Sequence, residues 1–187
     1  VLAKKKKVRK DINNIVLENN AFHIVEFSKG YVFGEPIQYV QKSVLENSEL
    51  ETLNKYMSDN DISSKNMKLA EHWYINGFGY KMVMPSEDRE KPFDVYVLKP
   101  SQAFVVYDSN YEEEPQLACY IAQRKDYVKD EIYYILTVYT KENIYTFLAK
   151  DNKKDKKEFE ITQKGNTEVN YIGSIPIIEY ALTESRL

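Results

Sequence analysis

The change of hydrophobic period at Gly79 constrains the fold of this chain more than any other feature. Upstream of it, apolar side chains recur at helical spacing, whereas downstream they alternate as they do in β-strands. Helices followed by a series of strands are typical of α+β proteins. We therefore predict an α+β fold in which about three N-terminal helices pack on a mainly antiparallel, tyrosine-rich β-sheet. The 16 tyrosines and 8 phenylalanines support this prediction, because aromatic side chains favour half-buried, pleated surfaces.

Three helices are predicted upstream of this change, over about residues 13–30, 44–58 and 63–76. The first follows a cap at Asn13–Asn14 and ends at Gly30. The third is capped by Ser63 or Ser64 and is stopped by Asn76–Gly77. Between the first two helices, Gly34 and Pro36 break the helical pattern, and we predict a strand within residues 31–40.

Eight strands are predicted after the change of period, near residues 80–84, 93–98, 103–107, 116–124, 132–139, 144–148, 158–162 and 175–180. The run Ile132–Tyr139 is apolar at both alternating sets of positions, which predicts a central strand. Lys150–Lys157 is charged and predicts an exposed hairpin loop. Gly173–Tyr180 contains three isoleucines and a helix-breaking proline, so we predict a buried strand there.

The length, charge and cysteine content place limits on the class of protein. A chain of 187 residues fits a single domain, which we assign to residues 12–180, preceded by a basic flanking segment at 1–11. The net charge of −3 is too small for the whole fold to attract a polyanion, and no apolar run is long enough to span a membrane. The lone Cys119 fits a reducing cytosol. A start at Val1 and an end at Leu187 without a capping signal lead us to expect an excised fragment.

Several residues were considered as carriers of chemistry, and none forms a recognisable catalytic, cofactor or metal motif. His23 and His72 lack partners at a metal-ligand spacing, and Cys119 lies in an apolar strand as a small core residue does. The acidic turn Glu112–Glu114 after Asp108 lacks the spacing of a calcium loop, and Gly77-Phe-Gly79 lacks the third glycine of a dinucleotide-binding turn. We predict no cofactor, no metal and no enzymatic activity. An enzyme that pairs His72 with Glu71 or Asp108 remains the alternative within this class.

A nucleic-acid-binding module is the main alternative function. The first ten residues carry a basic run that could contact phosphate groups: Lys4, Lys5, Lys6, Lys7, Arg9 and Lys10. Exposed tyrosines on a sheet could in addition stack on bases. The competing interpretations are a solvated flanking segment and a set of aromatic core residues.

Three stretches carry glycine and proline turns in a consistent order. The first is Asn20–Tyr39, the second joins Val97–Asp108 to Glu114–Tyr120, and the third joins Val138–Thr140 to Gly173–Tyr180. Together they resemble the portal proteins, or head-to-tail connectors, of tailed bacteriophages, in the branch common in phages of Gram-positive hosts. The positions that carry the resemblance are Gly30, Tyr31, Gly34, Pro36, Pro100, Tyr107, Asp108, Pro115, Gly173 and Pro176.

The resemblance implies a structural role. It identifies the chain as the N-terminal part of a portal wing, an α+β outer domain, with residues 181–187 as a truncated lead into a missing stem helix. Similar portals form dodecameric rings at one capsid vertex in the virion and are assembled in the host cytoplasm. The implied partners are other portal subunits, capsid and scaffold proteins, the terminase, head-completion proteins and the DNA that passes through the channel. The glycines and prolines would then shape turns and would not bind a substrate.

Overall fold

The structure, a computed structural model, describes residues 19–40, 48–88, 91–109, 114–128, 130–151 and 159–182. Within these ranges the helices are α1 (Asn20–Phe33), α2 (Ser48–Asp59) and α3 (Ile62–Asn76), and one 3₁₀ turn covers Pro100–Gln102. The strands are β1 (Phe78–Pro85), β2 (Phe93–Leu98), β3 (Ala103–Tyr107), β4 (Pro115–Asp126), β5 (Glu131–Tyr139), β6 (Asn143–Asp151), β7 (Phe159–Gln163), β8 (Glu168–Val169) and β9 (Ile177–Ala181). The predicted α+β fold class is confirmed.

Helix α1 runs further than its sequence predicts. Its N-cap is Asn19, whose side-chain oxygen accepts a hydrogen bond from the Phe22 backbone N–H at 3.1 Å. The predicted end at Gly30 is wrong, because this glycine keeps helical geometry and the helix continues to Phe33. The turn comes instead at Gly34, where a Cβ atom would clash with the Gly30 carbonyl oxygen. The predicted cap at Asn13–Asn14 lies outside the described residues.

The predicted strand within residues 31–40 is also wrong. Its first three residues belong to α1, and residues 34–40 pair with no strand that the structure describes. The Asn54 side chain of α2 takes the place of a strand partner. It accepts from the Tyr39 backbone N–H at 3.3 Å and donates to the Tyr39 carbonyl oxygen at 3.0 Å, which holds this segment against α2.

The junctions around α3 combine one corrected and one confirmed prediction. The helix begins at Ile62, directly after Asp61 in a left-handed conformation (φ 50°), and Ser63 and Ser64 therefore lie inside it. Asp61 provides no side-chain cap. The predicted stop at Asn76–Gly77 is confirmed, since Gly77 adopts φ +81° and donates its backbone N–H to the Trp73 carbonyl oxygen at 2.8 Å.

The strands form two antiparallel sheets. The small sheet has the order β2-β1-β9, and the large sheet has the order β3-β4-β5-β6-β7, with the short β8 paired to β6. β5 lies in the middle of the large sheet, which confirms the central strand predicted at 132–139. β8, only two residues long, was not predicted.

Lys150, expected in the hairpin loop, extends β6, and residues 152–158 of that loop lie outside the described part of the chain.

The strand predicted in Gly173–Tyr180 is β9, and only one of its faces is buried. It begins at Ile177, pairs with β1, and is an edge strand among the described strands. Ile177 is buried in the core, whereas Ile178 is 48% exposed. The Pro176 carbonyl oxygen accepts from the Val83 backbone N–H at 3.0 Å, so the proline carries the pairing one step beyond the strand.

The small sheet lies between α3 and the large sheet. On its helical side, a Cβ atom at Gly79 would lie 2.8 Å from Leu69 Cδ1, so α3 and β1 pack closely there. On the opposite side, Tyr80, Leu98 and Ile177 form the core with side chains of the large sheet, namely Ala103, Ala118 and Tyr139. Since α1 packs on α3, the layers follow in the order α1, α3, small sheet, large sheet.

Candidate functional site

His72 lies on α3 with part of its imidazole buried. In the described part of the chain, no group of three or more His, Cys, Asp or Glu side chains could hold a metal ion. The Nδ1 atom of His72 is buried without a hydrogen-bond partner, and burial lowers the pKa of this imidazole, against a smaller opposing effect of a backbone hydrogen bond with Leu98. Glu71, considered above as its partner, lies 4.0 Å from Lys29 Nζ on α1.

Cys119 is a structural residue. Its side chain is 1% exposed in β4, and burial raises the pKa of the thiol to about 11. Because the thiolate is the nucleophilic form, a thiol with this pKa is unreactive near neutral pH.

The acidic turn uses one of its carboxylates in an ion pair. Glu114 Oε2 lies 2.8 Å from Lys141 Nζ in the turn between β5 and β6, and this hydrogen bond lowers the pKa of the glutamate. The Asp108 backbone N–H donates to the Glu114 carbonyl oxygen at 2.8 Å, which closes the turn between β3 and β4. Glu112 and Glu113 lie outside the described residues.

The residues of the three family-like stretches are spread over the junctions of the fold. Tyr31 lies in the last turn of α1 and is 83% exposed, Tyr107 faces Pro115 at a register shift between β3 and β4, and Gly173 adopts φ +67°. Pro100 begins the 3₁₀ turn. The structure therefore does not gather these residues into one site, and their role in shaping turns stays a prediction. The basic run Lys4–Lys10 lies outside the described ranges.

A groove of about 1030 Å³ opens between α2, α3, residues 34–40 and the helical side of the small sheet. Its main cationic group is Lys81, whose Nζ lies 2.5 Å from Asn66 Oδ1 and 5.5 Å from the centre of the Tyr180 ring. Burial lowers the pKa of Lys81. Next to the groove residues Phe93 and Val95, the buried Asn60 side chain donates to the Phe93 carbonyl oxygen at 3.0 Å and accepts from the Val95 N–H at 3.2 Å. These bonds fix the junction of α2 and α3 on β2.

Helix α1 exposes an apolar stripe on the side that faces away from α3. The stripe consists of Ile24, Phe27 and Tyr31, which are 66%, 74% and 83% exposed, and the last two rings are stacked with centres 6.3 Å apart. Spacings of three and four residues place them on one side of the helix. The charged residues Glu26 and Lys29 are paired on the less exposed side. A surface helix normally has the opposite arrangement, so we call these three residues the α1 stripe.

The large sheet presents a second apolar surface. The side that carries Ala118 and Tyr139, part of which packs on the small sheet, is called the inner face. The opposite side is called the outer face. Strand register places the polar Gln123, Lys125 and Gln163 toward the strand ends of the outer face. Most of the described side chains on this face are apolar: Phe104, Val106, Leu117, Cys119, Ile121, Ile132, Tyr134, Leu136, Val138, Tyr145, Phe147, Ala149, Phe159 and Ile161. No helix among the described elements makes an extensive contact with β3–β7. The outer face therefore lacks a cover within the described chain.

Sequence reasoning did not find either surface. The α1 stripe could have been recognised because Glu26 and Lys29, three residues apart, mark a charged side that excludes Ile24, Phe27 and Tyr31. The outer face had a weaker signal, because β5 is apolar at both alternating sets of positions. We interpreted that pattern only as the mark of a central strand. Strand pairing was needed to show which side chains share a face.

Contiguous exposed apolar surfaces are typical of the class of proteins that act by contact with other macromolecules. No described helix is long and apolar enough to cross a membrane. The chain matches the family model described as "Phage portal protein, SPP1 Gp6-like" over residues 1–187, and it belongs to that family. No curated protein matches it significantly. The family consists of structural proteins, not enzymes, that act as head-to-tail connectors, form oligomeric rings and associate with the capsid of the virion.

Proposed function

We propose that this chain is the wing of a portal subunit and contributes contact surface to the portal ring and the capsid. Residues 12–180 are the wing domain, and residues 181–187 lead into a stem helix. The ring is dodecameric, is assembled in the host cytoplasm and occupies one capsid vertex, where it takes part in head assembly, DNA packaging and ejection. Terminase and head-completion proteins bind regions of the subunit outside this chain.

The exposed apolar surface of the domain carries this proposal. The α1 stripe and the outer face leave large apolar side chains exposed, among them Phe27 at 74% and Ile161 at 58%, and contiguous apolar patches of this kind mark sites of contact with other proteins. In a ring subunit, such surfaces are covered by neighbouring protein. The match to the portal family over the whole chain supplies the ring to which these surfaces belong.

The test uses the portal polypeptide that carries this chain. Native mass spectrometry and electron microscopy of the purified protein should show closed rings with one dominant number of subunits. A strictly monomeric polypeptide, with no ring particles over the accessible range of protein and salt concentrations, would contradict the proposal. Deletion of residues 19–182 should abolish the wing density in the rings and should leave density for the remaining regions.

The alternative function is nucleic-acid binding by Lys4, Lys5, Lys6, Lys7, Arg9 and Lys10 together with the aromatic sheet. The aromatic side chains of the outer face are the observation in its favour. Against it, the central part of that face carries no lysine or arginine in the described strands, whereas a nucleic-acid groove interleaves basic and aromatic residues. Binding of a DNA duplex that weakens steeply with salt and is lost on deletion of residues 1–10 would favour this alternative. A flat titration at low salt would exclude it.

A further inference from the structure

The two apolar surfaces lie at opposite ends of the layered domain. α1 packs on α3, α3 packs on one side of the small sheet, and the large sheet packs on the other side through its inner face. The α1 stripe is turned away from α3, and the outer face is turned away from the small sheet. A single copy of the domain therefore cannot bring the two surfaces together by its own packing.

A closed ring needs two different surfaces of this kind. In a cyclic oligomer with more than two subunits, each interface is heterologous, so that one patch of a subunit contacts another patch of the next subunit. The stripe is a narrow convex ridge without charge, and the outer face is a broad apolar sheet surface. A helix that packs on a sheet is one of the standard ways to cover both surfaces.

We propose that the α1 stripe of one portal subunit packs on the outer face of the large sheet of the next subunit around the ring. This inference rests on the proposed function, because it assumes the ring. The partner is a second copy of the same chain. The α1 stripe has no charged residue, and Lys125 of the outer face lies at the end of β4 in an ion pair with Asp130, away from the apolar centre of that face. This favours the pairing over a contact with DNA or with an acidic or basic protein, since such partners would leave charged groups buried and unpaired.

The dimensions of the two surfaces agree with this packing. Five strands at about 4.8 Å spacing give a face about 19 Å wide, and five residues along each strand give about 17 Å, or roughly 300 Å² in plan. The stripe extends over about 10 Å along the helix axis. A stable interface buries about 800 Å² on each partner, so the helix-on-sheet contact forms the apolar centre of the interface and a polar rim supplies the remainder.

Paired cysteines test this contact in the portal polypeptide that carries the chain. In a Cys119→Ala background, Phe27→Cys is combined with either Val106→Cys or Ile161→Cys, at opposite edges of the outer face. The rings are then treated with short and long bismaleimides. Because every subunit carries both positions, the proposed contact gives a ladder of covalent multimers that extends to the full ring. Each single-cysteine variant should remain monomeric on a denaturing gel.

Each other result identifies a different occupant and overturns the proposal. Covalent dimers from an outer-face cysteine alone indicate that two outer faces pack on each other. An intramolecular product, in which one bridging reagent joins both cysteines of a single chain and no multimers form, indicates that the subunit covers its own face. Rings that are visible by electron microscopy but give no multimers overturn this contact and leave the proposed function intact, whereas the absence of rings overturns both.

Charge substitutions provide a second measurement that does not depend on cross-linking. Phe27→Glu and Ile161→Glu should each reduce the fraction of subunits in rings at least tenfold, because each places a carboxylate in an apolar contact. Tyr171→Glu is the matched control, since Tyr171 is 93% exposed and belongs to neither surface, and its rings should be unchanged. Circular dichroism melting checks that the variants remain folded. Rings of normal abundance from folded Phe27→Glu and Ile161→Glu proteins would contradict the contact.

Discussion

The two faces of the large sheet differ in composition, and the difference is the reverse of what their exposure would predict. The face without a described cover is the more apolar one. The inner face is covered by the small sheet at Ala103, Ala118 and Tyr139, and its uncovered remainder is interspersed with polar side chains, including Arg124, Thr137, Thr146 and Lys150. The outer face has no described cover and is apolar at its centre from β3 to β7, with Gln123, Lys125 and Gln163 toward the strand ends. The inner face thus has the composition expected of its surroundings, whereas the outer face is more apolar than expected of a face without a cover in the described chain.

The largest expected difference between the faces lies in the stability of the isolated domain. Tyr139→Ala removes a buried aromatic side chain from the inner core and should lower the free energy of unfolding by about 3–5 kcal/mol. Phe159→Ala removes a half-exposed ring that packs edge to face on Tyr134, with ring centres 5.6 Å apart. It should lower the free energy of unfolding by only about 1 kcal/mol. Denaturant titration of both variants measures the two values. Equal losses would show that the outer face is covered within the subunit.

A smaller effect is expected next to the turn between β5 and β6. The buried Asn170 side chain donates to the Thr140 carbonyl oxygen at 2.7 Å and to the Ser174 carbonyl oxygen at 2.8 Å, and accepts from the Ile172 N–H at 3.2 Å. Asn170→Ala should cost about 1–3 kcal/mol, because it leaves these backbone groups without a partner.

The matched control for this change is Asn76→Ala. Asn76 donates to the His72 carbonyl oxygen at 3.0 Å at an exposed position, where water can replace the bond, so we expect a loss of no more than about 0.5 kcal/mol. If thermal melting gave the same loss for Asn76→Ala and Asn170→Ala, burial would not be the cause of the difference.

We expect the stability of the protein to depend on pH through His72, which lies on α3. Burial holds the pKa of the folded imidazole below its ordinary value of 6.5, so the unfolded state binds the proton more tightly. The free energy of unfolding should therefore be unaffected by this group above pH 6.5 and should fall as the pH decreases from 6.5 to the lowered pKa. The expected loss is smaller than those of the substitutions above. The free energy of unfolding of wild type and His72→Gln is measured by urea titration at a series of pH values between 5 and 8. Plotted against pH, the two sets of values should differ in slope only in that window. Parallel plots would contradict the prediction.

The smallest effect concerns reactivity and leaves stability unchanged. Cys119 lies on the outer face between its cross-strand neighbours Phe104 and Val138 but is only 1% exposed, and this burial raises the pKa of its thiol to about 11. At pH 8 the native chain should react with iodoacetamide far more slowly than the urea-unfolded chain. Rapid labelling of the native chain would show that the centre of the outer face opens to solvent.

The sequence predicted those elements whose signals are local. β2 and β3 have the predicted bounds, because alternating apolar residues flank a turn led by Pro100. The stop of α3 at Gly77 was predictable for the same reason. Gly30 misled the prediction of α1, since glycine permits a left-handed turn but does not require it, and the clash of a Cβ at Gly34 with the Gly30 carbonyl appears only in three dimensions.

The candidate surfaces depend on information that no single stretch contains. Ile132–Tyr139 is apolar at both parities, but the pattern alone does not tell whether its two sides are covered by the same chain or by another. Only the register of β4, β5 and β6 shows that Ile121, Leu136 and Phe147 lie side by side on the outer face. The partition of the strands into two sheets was likewise set by contacts between distant residues.

The lack of charge on the α1 stripe has a thermodynamic consequence for the proposed ring contact. Burial of apolar surface has an enthalpy near zero at 25 °C and a negative change in heat capacity, so its contribution to association weakens on cooling. Sulfate strengthens such a contact, whereas a contact made of ion pairs would be screened by salt. Free subunits should therefore be recovered most readily in the cold and at low salt, and warming should return them to the ring.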